Sequence, residues 1–267
     1  MPRALVRFRK VYYESHGEHP GTPLLLLHGM GGSCRGWLPL QVPVLSRERR
    51  VLITDYRGAG ESEDPGGPFG IADLADDAAQ LLEVLGVERA DVVGSFMGGM
   101  VAQELALRHP ERVNHLVLVG TFARPDARRR MILRHWRDLA LSALPVEQKT
   151  RERLIWTLQD ETLEQSDLID GMLEHMAGEM APLSGELLAR QCEACLAHDS
   201  YDRLRQIPHR TLILCGRHDI LTPPKLHREL ADEIPRAELV TLAYGGHLVM
   251  MESAQRFNEL VLHFLAD

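Results

Sequence analysis

Several things are missing from this chain of 267 residues: long apolar runs, an excess of positive charge, a dense cysteine framework, and any linker rich in proline, glycine or serine. A membrane-spanning helix needs about 20 consecutive apolar residues. The longest runs here, such as Leu24 to Leu27, fall far short of that. The segment Met1 to Lys10 is charged and strand-like, unlike a signal peptide, so the sequence predicts a cytoplasmic protein with no membrane partner. A net charge of -8 excludes a phosphate-tracking surface and with it nucleic acid as a partner. The short basic run Arg128 to Arg130 reads as a solvated helix face. Four scattered cysteines, Cys34, Cys192, Cys195 and Cys215, read as reduced thiols. Cys192 and Cys195 form a C-x-x-C, but their neighbours read as one helix and no second ligand pair follows, which argues against a zinc or redox centre. Without a linker, the chain is expected to form one large domain carrying an insertion.

What is present alternates. Apolar residues make up 45% of the chain and charged residues 25%, as in an ordinary globular protein. Ala4 to Arg9 and Val11 to Glu14 read as opening antiparallel strands. Leu24 to Leu27 is a continuous apolar run, and Val51 to Thr54, Ala90 to Val93 and Val113 to Val119 are mostly apolar, as expected of buried strands. Between them lie a short helix over Trp37 to Leu45, a helix with apolar positions Ile71, Leu74, Ala75, Ala78, Leu81, Leu82 and Leu85, and a helix over Met97 to Arg108. Strands and helices alternating at this spacing predict an α/β fold with a mostly parallel, doubly wound sheet.

That rhythm stops near Arg124. As far as Tyr201 only helical periodicities occur, interrupted at Pro145, Gly171 and Pro182. Residues 124–201 are therefore expected to form an inserted helical cap, with 1–123 and 202–267 as the core. Apolar cap positions include Met131, Ile132, Trp136, Leu139, Trp156, Leu173, Met176 and Met180, which suit either a flexible apolar substrate or plain packing. The sheet resumes at Thr211 to Cys215. A helix over Lys225 to Glu233, a strand over Glu238 to Leu242 and a last helix reaching Phe264 complete the chain.

Five motifs end or follow strands: His28-Gly29 with the glycines after it, the turn Asp55 to Ser62, the corner Gly94 to Gly99, Gly216-Arg217-His218-Asp219, and Gly246-His247. In this order they resemble the α/β-hydrolase superfamily, and within it the small bacterial capped members related to enol-lactonases, non-haem haloperoxidases and aminoacrylate-type hydrolases. The resemblance covers nearly the whole chain outside the cap. It implies that His247 is a general base and acid, that Asp219 orients it, and that the backbone N–H groups of Met30 and Met97 form an oxyanion hole. His28 is then a shaper of its loop, and Arg57, Gly58 and Gly60 are turn architecture. Phe96, His28, Trp37, Met131 and Trp156 are the candidate pocket residues.

The departure from the family is at the corner itself. Its pattern is Gly-x-nucleophile-x-Gly, and Gly94 and Gly98 put Phe96 at the nucleophile position, with Ser95 one residue early. Three arrangements are open. Phe96 sits at the tip and His247 with Asp219 works on water or on the substrate; the turn shifts and Ser95 is the nucleophile; or the chain binds a ligand without turnover. No carboxylate lies at the corner, and no phosphate loop or metal-ligand spacing occurs, so no cofactor is expected. The expected function is cofactor-independent hydrolysis of an ester, lactone or similar acyl bond in a small or medium, partly apolar carbonyl compound. The alternatives are a lyase, decarboxylase or oxygenase stabilising an enolate, and a ligand-binding relative.

Overall fold

The computed structural model describes residues 2–178 and 183–266. Its centre is an eight-stranded sheet in the order β1-β2-β4-β3-β5-β6-β7-β8. β1 (Arg3–Val6) and β2 (Arg9–His16) form an antiparallel hairpin, and β2 runs antiparallel to β4. β3 (Leu24–Leu27), β4 (Val51–Thr54), β5 (Ala90–Ser95), β6 (Val113–Val119), β7 (Thr211–Gly216) and β8 (Ala237–Leu242) are parallel to their neighbours. All four leucines of β3 are fully buried, because helices cover both faces of the sheet. Burying each contributes about 2 kcal/mol, which explains why the apolar tetrads mark the central strands.

The helices are α1 (Val42–Leu45), α2 (Ile71–Val84), α3 (Met97–Arg108), α4 (Ala127–Leu141), α5 (Val146–Thr157), α6 (Asp160–Leu163), α7 (Ser166–Gly178), α8 (Gly185–Ala197), α9 (Pro224–Glu233), α10 (Val249–Glu252) and α11 (Ala254–Ala266). One core cluster joins α2, α3 and the cap residues Ile132, Trp136 and Leu187 to one face of the sheet. A second joins α11 and Trp37, Val42 and Leu45 to the other. Helices α4 to α8 lie between β6 and β7 and form the cap. Among the described residues, no helix is long and apolar enough to cross a membrane.

Several local expectations are corrected. The first strand stops at Val6, because Arg7 (φ 45°) and Phe8 (φ 67°) make a two-residue turn with both central residues left-handed. Such a turn matches the twist of a hairpin, and here two non-glycine residues adopt it. The stretch expected as one helix at Trp37 to Leu45 is a 3-10 turn, Cys34–Trp37, followed by α1, and the last helix is split at Ser253. Gly171 does not interrupt the cap, since α7 runs through it. Pro182 and Met180 lie outside the described residues. In the basic run, Arg128 and Arg130 are exposed but Arg129 is buried; it pairs with Asp126 at 2.9 Å and donates to the Leu221 carbonyl at 2.9 Å. Cys192 and Cys195 sit on α8 as buried free thiols, and burial pushes Cys192 up to about 12.

Candidate active site

The parallel strands deliver their carboxyl ends to one edge of the sheet, where open α/β sheets form their crevices. β5 ends at Ser95, and Phe96 turns the chain into α3 with φ 47° and ψ -107°. A backbone held there costs roughly 1 to 3 kcal/mol. The glycines on either side set the register of this corner. A Cβ on Gly94 would lie 2.2 Å from the Gly98 carbonyl oxygen, and one on Gly98 would lie 2.2 Å from that of Leu27. Moving the tip to Ser95 would put Val93 and Met97 into those two spaces, so the unshifted register is the one adopted. Phe96 N–H donates to the Val119 carbonyl, and the Phe96 carbonyl accepts from Thr121 Oγ1 at 2.8 Å, which ties the tip to β6.

His247 lies in the loop after β8, and its ring packs against Gly120, where a Cβ would come within 3.1 Å of the imidazole. Its Nδ1 is 3.0 Å from Asp219 Oδ2 and 3.0 Å from Thr222 Oγ1. Thr222 in turn donates its hydroxyl to Asp219 Oδ2 at 2.6 Å and its N–H to Oδ1 at 2.6 Å. With a carboxylate as acceptor, this network assigns a proton to Nδ1, so that Nδ1 is engaged and Nε2 is the nitrogen not held by Asp219. Burial works to raise the Asp219 carboxyl, but His247, His227 and Thr222 together outweigh it and hold the carboxyl below its usual range. A carboxylate kept ionised against burial, bonded to one histidine nitrogen, leaves the other nitrogen for proton transfer.

The Phe96 ring meets the His247 imidazole edge to face, with centroids 5.0 Å apart and planes at 85°, and meets Phe122 at 6.0 Å. Beside the histidine, in place of a hydroxyl, stands an aromatic ring. Ser95 is buried and lines the same cavity from the last position of β5.

Opposite the corner, Gly29 to Gly32 leave β3 as a loop packed on Phe96 and Ser95. Met30 and Met97 are buried, in the segments that follow β3 after His28-Gly29 and β5 after Phe96, so their amides belong to the two segments that Gly98 brings into contact. Gly31 N–H donates to Gln191 Oε1 at 2.8 Å, and the Met30 carbonyl accepts from Arg153 Nη2 at 3.0 Å. The cap therefore holds the glycine loop from above. It holds the histidine loop as well: Leu248 N–H donates to the Thr157 carbonyl at 3.0 Å, and Gly245 N–H to Gln159 Oε1 at 2.8 Å. His28 donates Nδ1–H to the Gly29 carbonyl at 2.8 Å and packs on Tyr56, and burial lowers its pKa. It is thus a neutral loop residue on the cavity wall.

A cavity of about 250 Å³ lies between cap and core, lined by His28, Trp37, Ser95, Phe96, His247 and residues of α4, α5 and α7. The structure places Trp37 and Phe96 on its wall but neither Met131 nor Trp156. Met131 is 72% exposed, one residue and about 100° around α4 from the inward-facing Ile132. Trp156 lies off the wall and donates Nε1–H to Glu152 at 2.9 Å. From α5 the cavity receives Thr150, Arg153, Leu154 and Thr157, a stripe at i, i+3, i+4 and i+7. Three of these four residues are polar, so a search for apolar periodicity passes over the stripe. Thr222 and His227 were also missed. His227 accepts from Thr121 N–H at 3.2 Å, and burial pushes it down to about 4, so it stays neutral beside Asp219. Asp219-x-x-Thr222 is the spacing of an aspartate capping its own turn, a signal that was available for Thr222. No sequence signal marks His227. Arg57 pairs with Asp77 at 2.6 Å, as turn architecture. Among the described residues no group of three metal-ligating side chains occurs.

The family described as alpha/beta hydrolase fold matches residues 22–254, most of the chain. The chain belongs to that family. Within it, the chain is 33% identical over 273 residues to a protein of Azorhizobium caulinodans named as carbamate hydrolase RutD, covering 100% of this chain and 99% of the relative. It is 33% identical over 261 residues to 2-hydroxymuconate semialdehyde hydrolase of Pseudomonas sp. strain CF600, covering 94% and 89%. The solved enol-lactonase of Burkholderia xenovorans LB400 superposes with a TM-score of 0.84 at 30% identity over 100% of both chains. This α/β hydrolase thus stands among small bacterial hydrolases that act on small molecules.

Proposed function

We propose that the protein hydrolyses an ester, lactone or similar acyl bond in a small, partly apolar carbonyl compound, without a cofactor and without a covalent acyl-enzyme. His247 Nε2 takes a proton from water, and the water oxygen attacks the carbonyl carbon. The carbonyl electron pair moves onto oxygen, where the N–H groups of Met30 and Met97 receive it. Collapse of that intermediate breaks the acyl bond, and the proton on Nε2 passes to the leaving group. Asp219, with Thr222 behind it, balances the transient imidazolium. Preorganised donors of this kind contribute roughly 3 to 4 kcal/mol each to such a step. They are main-chain groups, so an aromatic residue at the corner leaves them in place. The relatives support hydrolysis as the reaction class.

The observation that carries the water route is the Phe96 ring 5.0 Å from the imidazole, where a nucleophilic side chain would otherwise stand. A fluorophosphonate labels an activated nucleophile beside a working oxyanion hole. Intact mass after incubation is therefore expected to show no adduct on the wild-type protein, and rapid phosphonylation of residue 96 in Phe96→Ser. An adduct on Ser95 would overturn the water route. Enolate stabilisation is a second reading, favoured by the same absence of a nucleophile; it is distinguished by turnover of substrates with an acidic carbon and silence toward simple esters.

A further inference from the structure

The cavity wall carries one formally charged side chain among the described residues, Arg153, reaching from α5 to the glycine loop. Its guanidinium donates from Nη2 to the Met30 carbonyl at 3.0 Å and lies 5.9 Å from the Trp136 ring centroid. Its Nε is sealed from solvent with no hydrogen-bond partner. No carboxylate of the described residues forms an ion pair with it; neighbouring Glu152 is turned to His135 and Trp156. Burial lowers its pKa, and the nearby Glu152 carboxylate, which forms no ion pair with it, offsets this only in part. Arginines in this chain usually do better: Arg57, Arg129, Arg190 and Arg203 each pair with a carboxylate. An uncompensated guanidinium is costly to hold in an apolar site, and its planar fork of donors matches a carboxylate.

We propose that Arg153 is the recognition residue for a carboxylate on the substrate, so that the compound hydrolysed is a small carbonyl acid. This rests on the hydrolytic reading of the same site. The contact with the Met30 carbonyl sets the anion beside the glycine loop, whose Met30 N–H would hold the reacting oxygen. A single positive charge in an otherwise uncharged cavity of about 250 Å³ suits a monoanion of a few carbons. A phosphate dianion would leave one negative charge unpaired there.

Binding is measured without turnover in His247→Ala, by quenching of tryptophan fluorescence, with monomethyl esters of straight-chain diacids from malonate to adipate. Each dimethyl ester serves as its neutral control and inorganic phosphate as the competing anion. At least one monoester is expected to bind about 10- to 100-fold more tightly than its diester, the range of a charge-assisted hydrogen bond. The preference disappears in Arg153→Met and is partly kept in Arg153→Lys, which also covers a failure of the methionine variant to fold. No monoester preferred over its diester, a preference that survives Arg153→Met, or phosphate outcompeting every monoester would overturn the proposal. Preferred binding of the monoester by an enzyme that never hydrolyses it would remove the hydrolytic reading and leave Arg153 as the anion site.

Discussion

On the core side of the cavity the groups assigned to the reaction are held by backbone geometry, whereas on the cap side the wall hangs from side chains. Ten of the twelve residues of α3 are buried, and its first turn closes on β3 with no space for a single extra carbon at Gly98. In α5 one residue, Leu154, is buried, and the helix starts from Pro145 without a side-chain cap. The core side therefore has one available arrangement, and the cap side has room for others. Groups that must meet a reacting bond within fractions of an ångström are built the first way, and groups that choose a substrate are built the second way. Under the proposed function, the chemistry therefore rests on the first kind of support and the choice of substrate on the second.

The largest effect that would test this division is on His247. His247→Ala is expected to lower kcat/KM about 100- to 10,000-fold, the usual contribution of a general base, with the folded state retained in circular dichroism. Unchanged turnover would break the assignment. Next is Gly98→Ala, whose Cβ would lie 2.2 Å from one carbonyl oxygen and 2.7 Å from that of His28. It is expected to cost about 3 kcal/mol in urea unfolding, and a neutral result would mean that the corner can move. A smaller effect follows from His227. Its folded pKa of about 4 lies below its unfolded value of 6.5, so the unfolded chain binds the proton first. The stability contributed by neutral His227 is complete above about pH 6.5 and is lost as pH falls toward 4, at roughly 1.4 kcal/mol per pH unit. His28, His198 and His209 are lowered as well and act in the same direction. His227→Gln, whose carbonyl can still accept from Thr121, is therefore expected to take up one proton fewer on unfolding between those pH values. The smallest effect is on the outer face of the cap, where Met131→Ala is expected to change stability by less than about 0.5 kcal/mol and to leave KM unaltered.

The same division governs what could be read from the sequence. Leu24 to Leu27, Val51 to Thr54 and Val113 to Val119 were legible to the residue, because strands buried on both faces are dominated by apolar side chains. The corner itself was legible, but its register was left open between Phe96 and Ser95 until the closed spaces at Gly94 and Gly98 selected the unshifted one. The turn at Arg7 and Phe8 was not, because its left-handed backbone is imposed by strand pairing on residues that do not favour it. Met131 and Trp156 misled for a related reason. Residue type alone suggested a pocket, but a helix presents one face, and the face of α5 is decided by how the cap settles on the core. Arg153 was invisible for the same cause: in the sequence it is one arginine among many, and only its tertiary position strips it of a partner.

Helix α5 touches both reacting sides of the cavity, through Arg153 at the Met30 carbonyl and through Thr157 at Leu248 N–H. Four residues of helix separate these attachments, a rise of about 6 Å. The helix thus bridges, at a set spacing, the loop assigned to the oxyanion and the loop that carries the proposed base. Displacing α5 therefore breaks the cap's hold on both loops together, while each loop keeps its own attachment to the sheet.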